Sequence, residues 1–409
     1  MSSTEQRLLE EAGRCINCGF CEAVCPTLPS SGYNGSRGAR GRVMLGREML
    51  GSAARGEGIS QFADSFFSCL DCYACLQVCP AGVNAGRVSH MARELITGRG
   101  EGVPQLARLM EKLIMRYHSI IPLGRRAAAW AKGLNIPAAG ETLLYTGQMY
   151  QLMSYSSAMT SFIHGWGKGM SRTIVGSVLR LPWLMRLAPL LNDREIEEEM
   201  GNSLRNIATM LDREGIQFCY MGESEPYPGT LMHDLGFASS MKEYASFVAG
   251  EFRKRGARRV VTVDPHTHDL LKDTYPRLVE GFDFEVVHYT ELLDPESFSQ
   301  GSDVISFHEP CHMTRRFDDF SAPARLLGRV AEVRLPDSSG RKTHCCGGPD
   351  ELLYPDIAGG VTRARLKQLR EAGGKLTVTA CPVCLLNLGR EGEAMDISNL
   401  LVRRMKPGS

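Results

Sequence analysis

No stretch of the sequence is a convincing membrane span. Thr142 to Gly167 carries no Asp, Glu, Lys or Arg, but Gln148, Gln151 and a string of Ser and Thr make it too polar. Thr173 to Leu191 is more apolar, yet Arg180, Arg186, Pro182 and Pro189 interrupt it. It is expected to pack in a core or a subunit interface in preference to lying on a membrane surface. Charge of one sign is also missing. With 47 Lys and Arg against 46 Asp and Glu, the formal net charge is +1, and nothing suggests a nucleic-acid partner. No glycine-rich dinucleotide fingerprint stands between a strand and a helix, so flavin or nicotinamide belongs on another chain. The opening residues, MSSTEQRLLEEAGR, are polar and acidic, unlike a secretory leader. At 409 residues the chain should form two to four domains.

What is abundant is cysteine. Fourteen cysteines without a secretory signal argue against a disulfide scaffold and for metal thiolates in a reducing, cytoplasmic compartment. Two runs, Cys15-Ile-Asn-Cys18-Gly-Phe-Cys21-Glu-Ala-Val-Cys25-Pro26 and Cys69-Leu-Asp-Cys72-Tyr-Ala-Cys75-Leu-Gln-Val-Cys79-Pro80, match C-x2-C-x2-C-x3-C-P residue for residue. Three thiolates on a short loop each reach one iron of a cubane, and the fourth points at the other cluster. By that crossed logic Cys15, Cys18, Cys21 and Cys79 hold one [4Fe–4S] cluster, and Cys69, Cys72, Cys75 and Cys25 the other. Zinc sites use cysteine at other spacings.

The long insert between the motifs has helical spacing around Arg42 to Leu50, which predicts a helical ferredoxin module. Arg37, Arg40, Arg42 and Arg47 cluster in SRGARGRVMLGR. They read either as a solvated face or as positive charge that raises cluster potentials or steers an acidic partner.

The last quarter holds Cys311, then Cys345-Cys346-Gly347-Gly348, then Cys381-Pro382-Val383-Cys384, a C…CCG…CxxC frame. Adjacent cysteines do not comfortably ligate one iron, but they can bridge neighbouring irons of an opened cluster, and five thiolates exceed the need of one cubane. The same frame occurs upstream without cysteine. Gln148, Tyr227, Pro228, Asp264 and Thr267 stand where Cys311, Cys345, Cys346, Cys381 and Cys384 stand. This first copy should bind no iron–sulfur cluster, and Asp264, His266 and His268 offer only a weak metal set. Short apolar strands alternate with helices in both copies: LLYT, IQFCY, RVVTV and EVVHY in the first; VISFH, AEVRL, LTVTA and MDIS in the second. Amphipathic helices are expected at Met241–Arg255 and Val361–Ala372. The alternation favours α/β units with mostly parallel sheets and functional groups at strand ends.

On these thirteen cysteines and the CPT…SRGARGR run, the chain resembles iron–sulfur subunits built from a two-cluster ferredoxin module followed by paired CCG domains. Such subunits occur in heterodisulfide reductase, in a sulfite-reductase-associated menaquinol-linked complex, and with glycolate oxidase, lactate dehydrogenase and anaerobic glycerol-3-phosphate dehydrogenase. The resemblance implies an α+β multi-domain architecture: ferredoxin module at 1–100, helical linker at 101–139, degenerate CCG-like repeat at 140–298 and intact CCG domain at 299–409. It implies that Cys311, Cys345, Cys346, Cys381 and Cys384 hold a third, noncubane or site-differentiated [4Fe–4S] cluster, where disulfide cleavage occurs in heterodisulfide reductases. The cysteine-free first copy departs from that pattern. Two facing noncubane clusters are not available here, and a single intact copy is closer to the sulfite-reductase-associated type.

The expected function is electron relay between a redox partner and the third cluster, within a multi-subunit oxidoreductase. Expected partners are a flavoprotein or other redox subunits and a membrane quinone-reactive subunit, through which the chain would sit on the inner membrane face. The alternatives are an iron–sulfur subunit of a flavin-dependent hydroxy-acid or glycerol-phosphate dehydrogenase, a catalytic disulfide reductase, and a non-redox metal scaffold. His312 and His344 flank ligand cysteines, either as donors to thiolate sulfur or simply as packed side chains. Cys219 reads as a buried filler on a strand, and Trp130, Trp166 and Trp183 as core or interface.

Overall fold

A computed structural model describes residues 2–164, 191–317 and 320–407. Trp166, Trp183 and nearly all of the Thr173 to Leu191 segment lie outside them. No helix among the described residues is long and apolar enough to cross a membrane.

The first hundred residues are helical around the two cysteine motifs. Helix Ser3–Gly13 starts on a capping box, Ser2 with Glu5, and turns Leu8 and Ala12 inward. Helix Ala39–Ala54 spans the insert and buries Val43, Gly46 and Met49. Helix Ala85–Arg99 begins where the Asn84 side chain accepts from Arg87 N and ends at Gly100 in the left-handed region. The three helices converge at Gly46, where an added Cβ would lie 3.0 Å from Val88 and 3.4 Å from Leu8. The glycine permits that close approach.

Two parallel sheets follow. The first runs β1 (Thr142–Tyr145), β2 (Arg259–Thr262) and β3 (Glu285–His288) in the order β1-β2-β3. The second comprises β4 (Asp303–His308), β5 (Ala331–Arg334), β6 (Leu376–Thr379) and β7 (Ala394–Asp396), in the order β5-β4-β6-β7. Seven of the eight expected strands are present. IQFCY is the exception: it forms one parallel bridge, Cys219 to Leu143, because Tyr220 N turns away to Pro137 O. That bridge occupies the edge that β5 occupies in the second sheet, so the two copies share one topology. The amphipathic helices lie at Ala238–Lys254 and Pro355–Glu371.

Hydrophobic burial ties the units together. One core joins Leu8, Val43 and Val88 to Met232, Tyr244 and Val260, and takes in Leu106, Leu113 and Ile114 of helix Gln105–Tyr117. A second core joins Trp130, Leu144 and Val261 to Phe307, Val378 and Leu401 across the two sheets. Tyr150 Oη donates to Asp396 Oδ2 at 2.8 Å over the same boundary.

Candidate metal centres

The two ferredoxin-type loops repeat one backbone path. Asn17 and Gly19 in the first, and Asp71 and Tyr73 in the second, all have positive φ, at 61°, 85°, 47° and 57°. Asn, Asp and Gly tolerate this region; Tyr does not, at a cost of about 1–3 kcal/mol. Each loop curls its sulfurs to one side. Cys15, Cys18, Cys21 and Cys79 line one cavity, and Cys25, Cys69, Cys72 and Cys75 line another, the crossed grouping that the spacing predicts. The first cavity is at the surface, with Cys18 exposed; in the second, Cys25, Cys72 and Cys75 are buried. Val83 N–H donates to Cys79 Sγ at 3.2 Å.

Of the four clustered arginines, Arg37 pairs with Asp64 and Arg40 with Glu22. Arg47 donates to Ala12 O at 3.0 Å. Arg42 is fully buried, with Nη1 at 3.0 Å from Thr27 Oγ1 and 3.8 Å from Cys25 Sγ, Nε at 2.7 Å from Ser65 O, and Nη2 at 2.8 Å from Ser68 O. Arg93, also buried, grips the same segment from the other side through Phe66 O, Cys69 O and an ion pair of 2.6 Å with Asp71. A solvated face therefore does not describe Arg42. Nothing in the one-dimensional pattern set Arg93 apart.

The five remaining candidates gather at the C-terminal ends of β4 and β6. Cys311 opens helix Cys311–Arg316, and Cys381 sits at the N-cap of helix Pro382–Glu391, which carries Cys384. Gly347, at φ 92°, turns the chain after Cys346, and its N–H lies 3.5 Å from Cys345 Sγ. The adjacent pair Cys345–Cys346 divides the group. Cys345 packs with Cys311, 3.9 Å between sulfurs, and with Cys72 of the second loop. Cys346 packs with Cys381 and Cys384. Arg315 seals the first contact, donating to Cys72 O at 2.6 Å, to Arg341 O at 3.0 Å and to Thr343 O.

His312 turns Nδ1 to Asp269 Oδ2 at 3.0 Å and stacks on His266 with ring centroids 4.2 Å apart, while His344 Nδ1 faces Cys345 O at 3.3 Å. Sequence reasoning missed His308, which ends β4. With Cys346 and Cys384 it forms the one set of three metal-capable side chains, among the described residues, whose ligand atoms lie within 4.8 Å of one another. The signal was present in the run His308-Glu-Pro-Cys311, but a histidine three residues before a ligand resembles any buried strand-end histidine.

The first copy's positions are closed by ordinary contacts. Gln148 donates to Glu225 O and accepts from Ser119; Tyr227 bonds Thr230. Asp264 caps helix Pro265–Asp269 through His266 N and Thr267 N, and His268 Nδ1 lies 3.0 Å from Thr262 Oγ1. Asp264, His266 and His268 are thus held in separate local contacts.

Burial pushes the Cys21 thiol up to about 11 and Cys69 up to about 12. Metal binding at these loops would release protons, since iron takes thiolate. Around Cys345 and Cys346 the thiols act on one another: contact with Cys345 holds the Cys72 thiol below its usual range, while Cys345 itself is raised. Thirteen thiols in three groups, none in a disulfide, with backbone and arginine donors aimed at sulfur, fit iron–sulfur ligation. Cys219, the fourteenth, is buried against Gly140 O.

Two family models match the chain: the 4Fe-4S dicluster domain over residues 11–83 and the cysteine-rich domain over residues 305–389. The chain is similar to the probable glycolate oxidase iron–sulfur subunit of Bacillus subtilis, 37% identical over 93% of this chain and 90% of that protein. A subunit of the dihydromethanophenazine:CoB–CoM heterodisulfide reductase of Methanosarcina barkeri is 24% identical, over 95% of this chain and 91% of its own length. An EtfAB:quinone oxidoreductase of Syntrophomonas wolfei is 21% identical over 91% of this chain, which spans 54% of its length.

Proposed function

The chain belongs to the family of iron–sulfur oxidoreductase subunits that join a dicluster ferredoxin module to a cysteine-rich CCG domain, and we propose that it relays electrons between a partner docked at the first loop and the five-cysteine site. It is an electron-transfer subunit that carries [4Fe–4S] clusters. Cys15, Cys18, Cys21 and Cys79 would hold the outer cubane, and Cys25, Cys69, Cys72 and Cys75 the inner one. Cys311, Cys345, Cys346, Cys381 and Cys384 would hold the third cluster. Bound there, such clusters supply one-electron steps.

The residues divide the remaining work. Ile16 and Phe20 stand 66% and 61% exposed within the outer loop, an apolar surface suited to a redox partner. Arg42 and Arg93 clamp the backbone that enters the inner loop and place positive charge beside its thiolates. Arg315 fastens the inner loop to the third site. The observation that carries the reading is the shared burial of Cys72, Cys311 and Cys345, which brings ligand positions of two centres into contact. The test is a stepwise reductive titration followed by EPR. Magnetic coupling between the inner and third clusters is expected; three independent spectra, or zinc in place of iron, would overturn the reading.

The similarity to a glycolate oxidase iron–sulfur subunit favours a second reading: electrons enter from a flavoprotein dehydrogenase of hydroxy acids on a separate chain. Copurification with such a flavoprotein separates this from a quinone-linked partner. A third reading, disulfide or thiol reduction at the third site, draws on an apolar cavity of about 120 Å³ lined by Leu70, Leu152, Tyr227, His266, Gly348 and Val383. A thiol-dependent EPR signal from the oxidised third cluster would favour it.

A further inference from the structure

His308 is fully buried at the end of β4. Arg365 Nε–H donates to its Nδ1 at 3.0 Å. A guanidinium has no lone pair to offer, so Nδ1 is the acceptor and the ring's single proton resides on Nε2. That nitrogen finds no hydrogen-bond partner among the described residues, and the imidazole lies beside sulfur: His308, Cys346 and Cys384 offer ligand atoms within 4.8 Å of one another. Arg365 is itself fixed, fully buried and donating to Ser338 O at 3.0 Å, Gln368 Oε1 at 2.9 Å and Thr343 Oγ1 at 3.2 Å.

The cysteine-free copy serves as an internal control. Tyr145 ends β1 opposite Thr262 as His308 ends β4 opposite Thr379. Tyr145 directs its hydroxyl to Pro226 O at 2.8 Å. Where there are no candidate ligands, the strand-end polar group is satisfied by protein. Where there are, the strand-end ring lies beside them with its donor unpartnered.

We propose that His308 is a positioning residue of the third centre, donating Nε2–H to thiolate or cluster sulfur on the Cys346–Cys384 side, with Arg365 holding it in that tautomer. Iron ligation through Nε2 is disfavoured, because it would need both ring nitrogens to present lone pairs at once. A donor to sulfur stabilises the more negative, reduced state, so His308 raises the potential of this centre. The inference rests on the third site holding its cluster, which iron analysis and visible absorption check separately.

The test begins with protein labelled with ¹⁵N-histidine and studied by pulsed EPR in the paramagnetic state of the third cluster. A weak, non-bonded nitrogen coupling with an accompanying proton that exchanges in D2O is expected. The strong coupling of a bonded imidazole, or no histidine coupling at all, would overturn the proposal. In His308→Ala those couplings should vanish and the third cluster's midpoint potential should fall. His308→Gln, whose amide N–H can replace Nε2–H, should restore the potential in part. An unchanged potential in His308→Ala with iron retained also overturns it. If His308→Ala loses iron, labelled His308→Gln decides: the histidine coupling should vanish while the cluster stays, and a coupling that persists there overturns the proposal.

Discussion

Arg42 illustrates how one side chain can commit a loop. Its guanidinium satisfies Ser65 O, Ser68 O and Thr27 Oγ1 while approaching Cys25 Sγ. Truncation would strand buried acceptors at about 1–3 kcal/mol each. Arg42→Met should lose iron selectively from the inner ferredoxin site, seen as loss of about one cubane's iron and of one EPR component. Arg42→Lys should recover little, because a single ammonium cannot span the three acceptors. Glu225 illustrates the opposite charge under burial. It accepts from Thr146 N at 2.7 Å, yet desolvation raises its carboxyl to about 8. The folded value exceeds the unfolded one, so the fold favours the neutral acid. Stability from this group is greatest below the unfolded value near 4.5 and falls as pH rises through about 8, by ~1.4 kcal/mol per unit in that window. Glu225→Gln should flatten the slope and raise the melting temperature at pH 8.5 more than at pH 5, measured anaerobically.

At the scale of elements, the turn after the adjacent cysteines has the narrowest tolerance. An added Cβ at Gly347 would sit 2.5 Å from Ala358 O, and φ is in the left-handed region. Gly347→Ala should therefore cost the third cluster while both ferredoxin clusters remain, a loss of about one third of the iron. The first copy keeps this device: Gly229 has φ 88° and follows Tyr227 and Pro228 as Gly347 follows the cysteine pair. That correspondence explains why the repeat could be read from sequence: glycine, proline and strand ends persist where ligands do not. The crossed cysteine groups were legible because their spacing is set by loop chemistry. The IQFCY strand was not, because alternation predicts a strand but not the Tyr220 to Pro137 bond that cuts it to one bridge. Arg93, Arg315, Arg365 and His308 were also hidden, since each acts on residues more than twenty positions away or through a tautomer, and a linear pattern records neither.

For the whole molecule, the three cysteine groups pass from an outer loop with an exposed thiol to a fully buried set of five. The cysteine-free copy is built into both hydrophobic cores, so it braces the ferredoxin module against the CCG unit while leaving only one side of the third centre furnished with sulfur.

The exposure of Cys18, whose equivalent Cys72 in the second loop is buried, has a consequence for damage. Dioxygen meets the outermost centre first. On brief exposure to air, the spectrum of that centre should bleach while the inner two persist, followed by rapid-freeze EPR; simultaneous loss of all three would contradict it. In the proposed relay the outer loop would then act as a fuse: once blown, it would isolate the deeper metal from a partner docked there, and repair would need only the most accessible four sulfurs to be refilled.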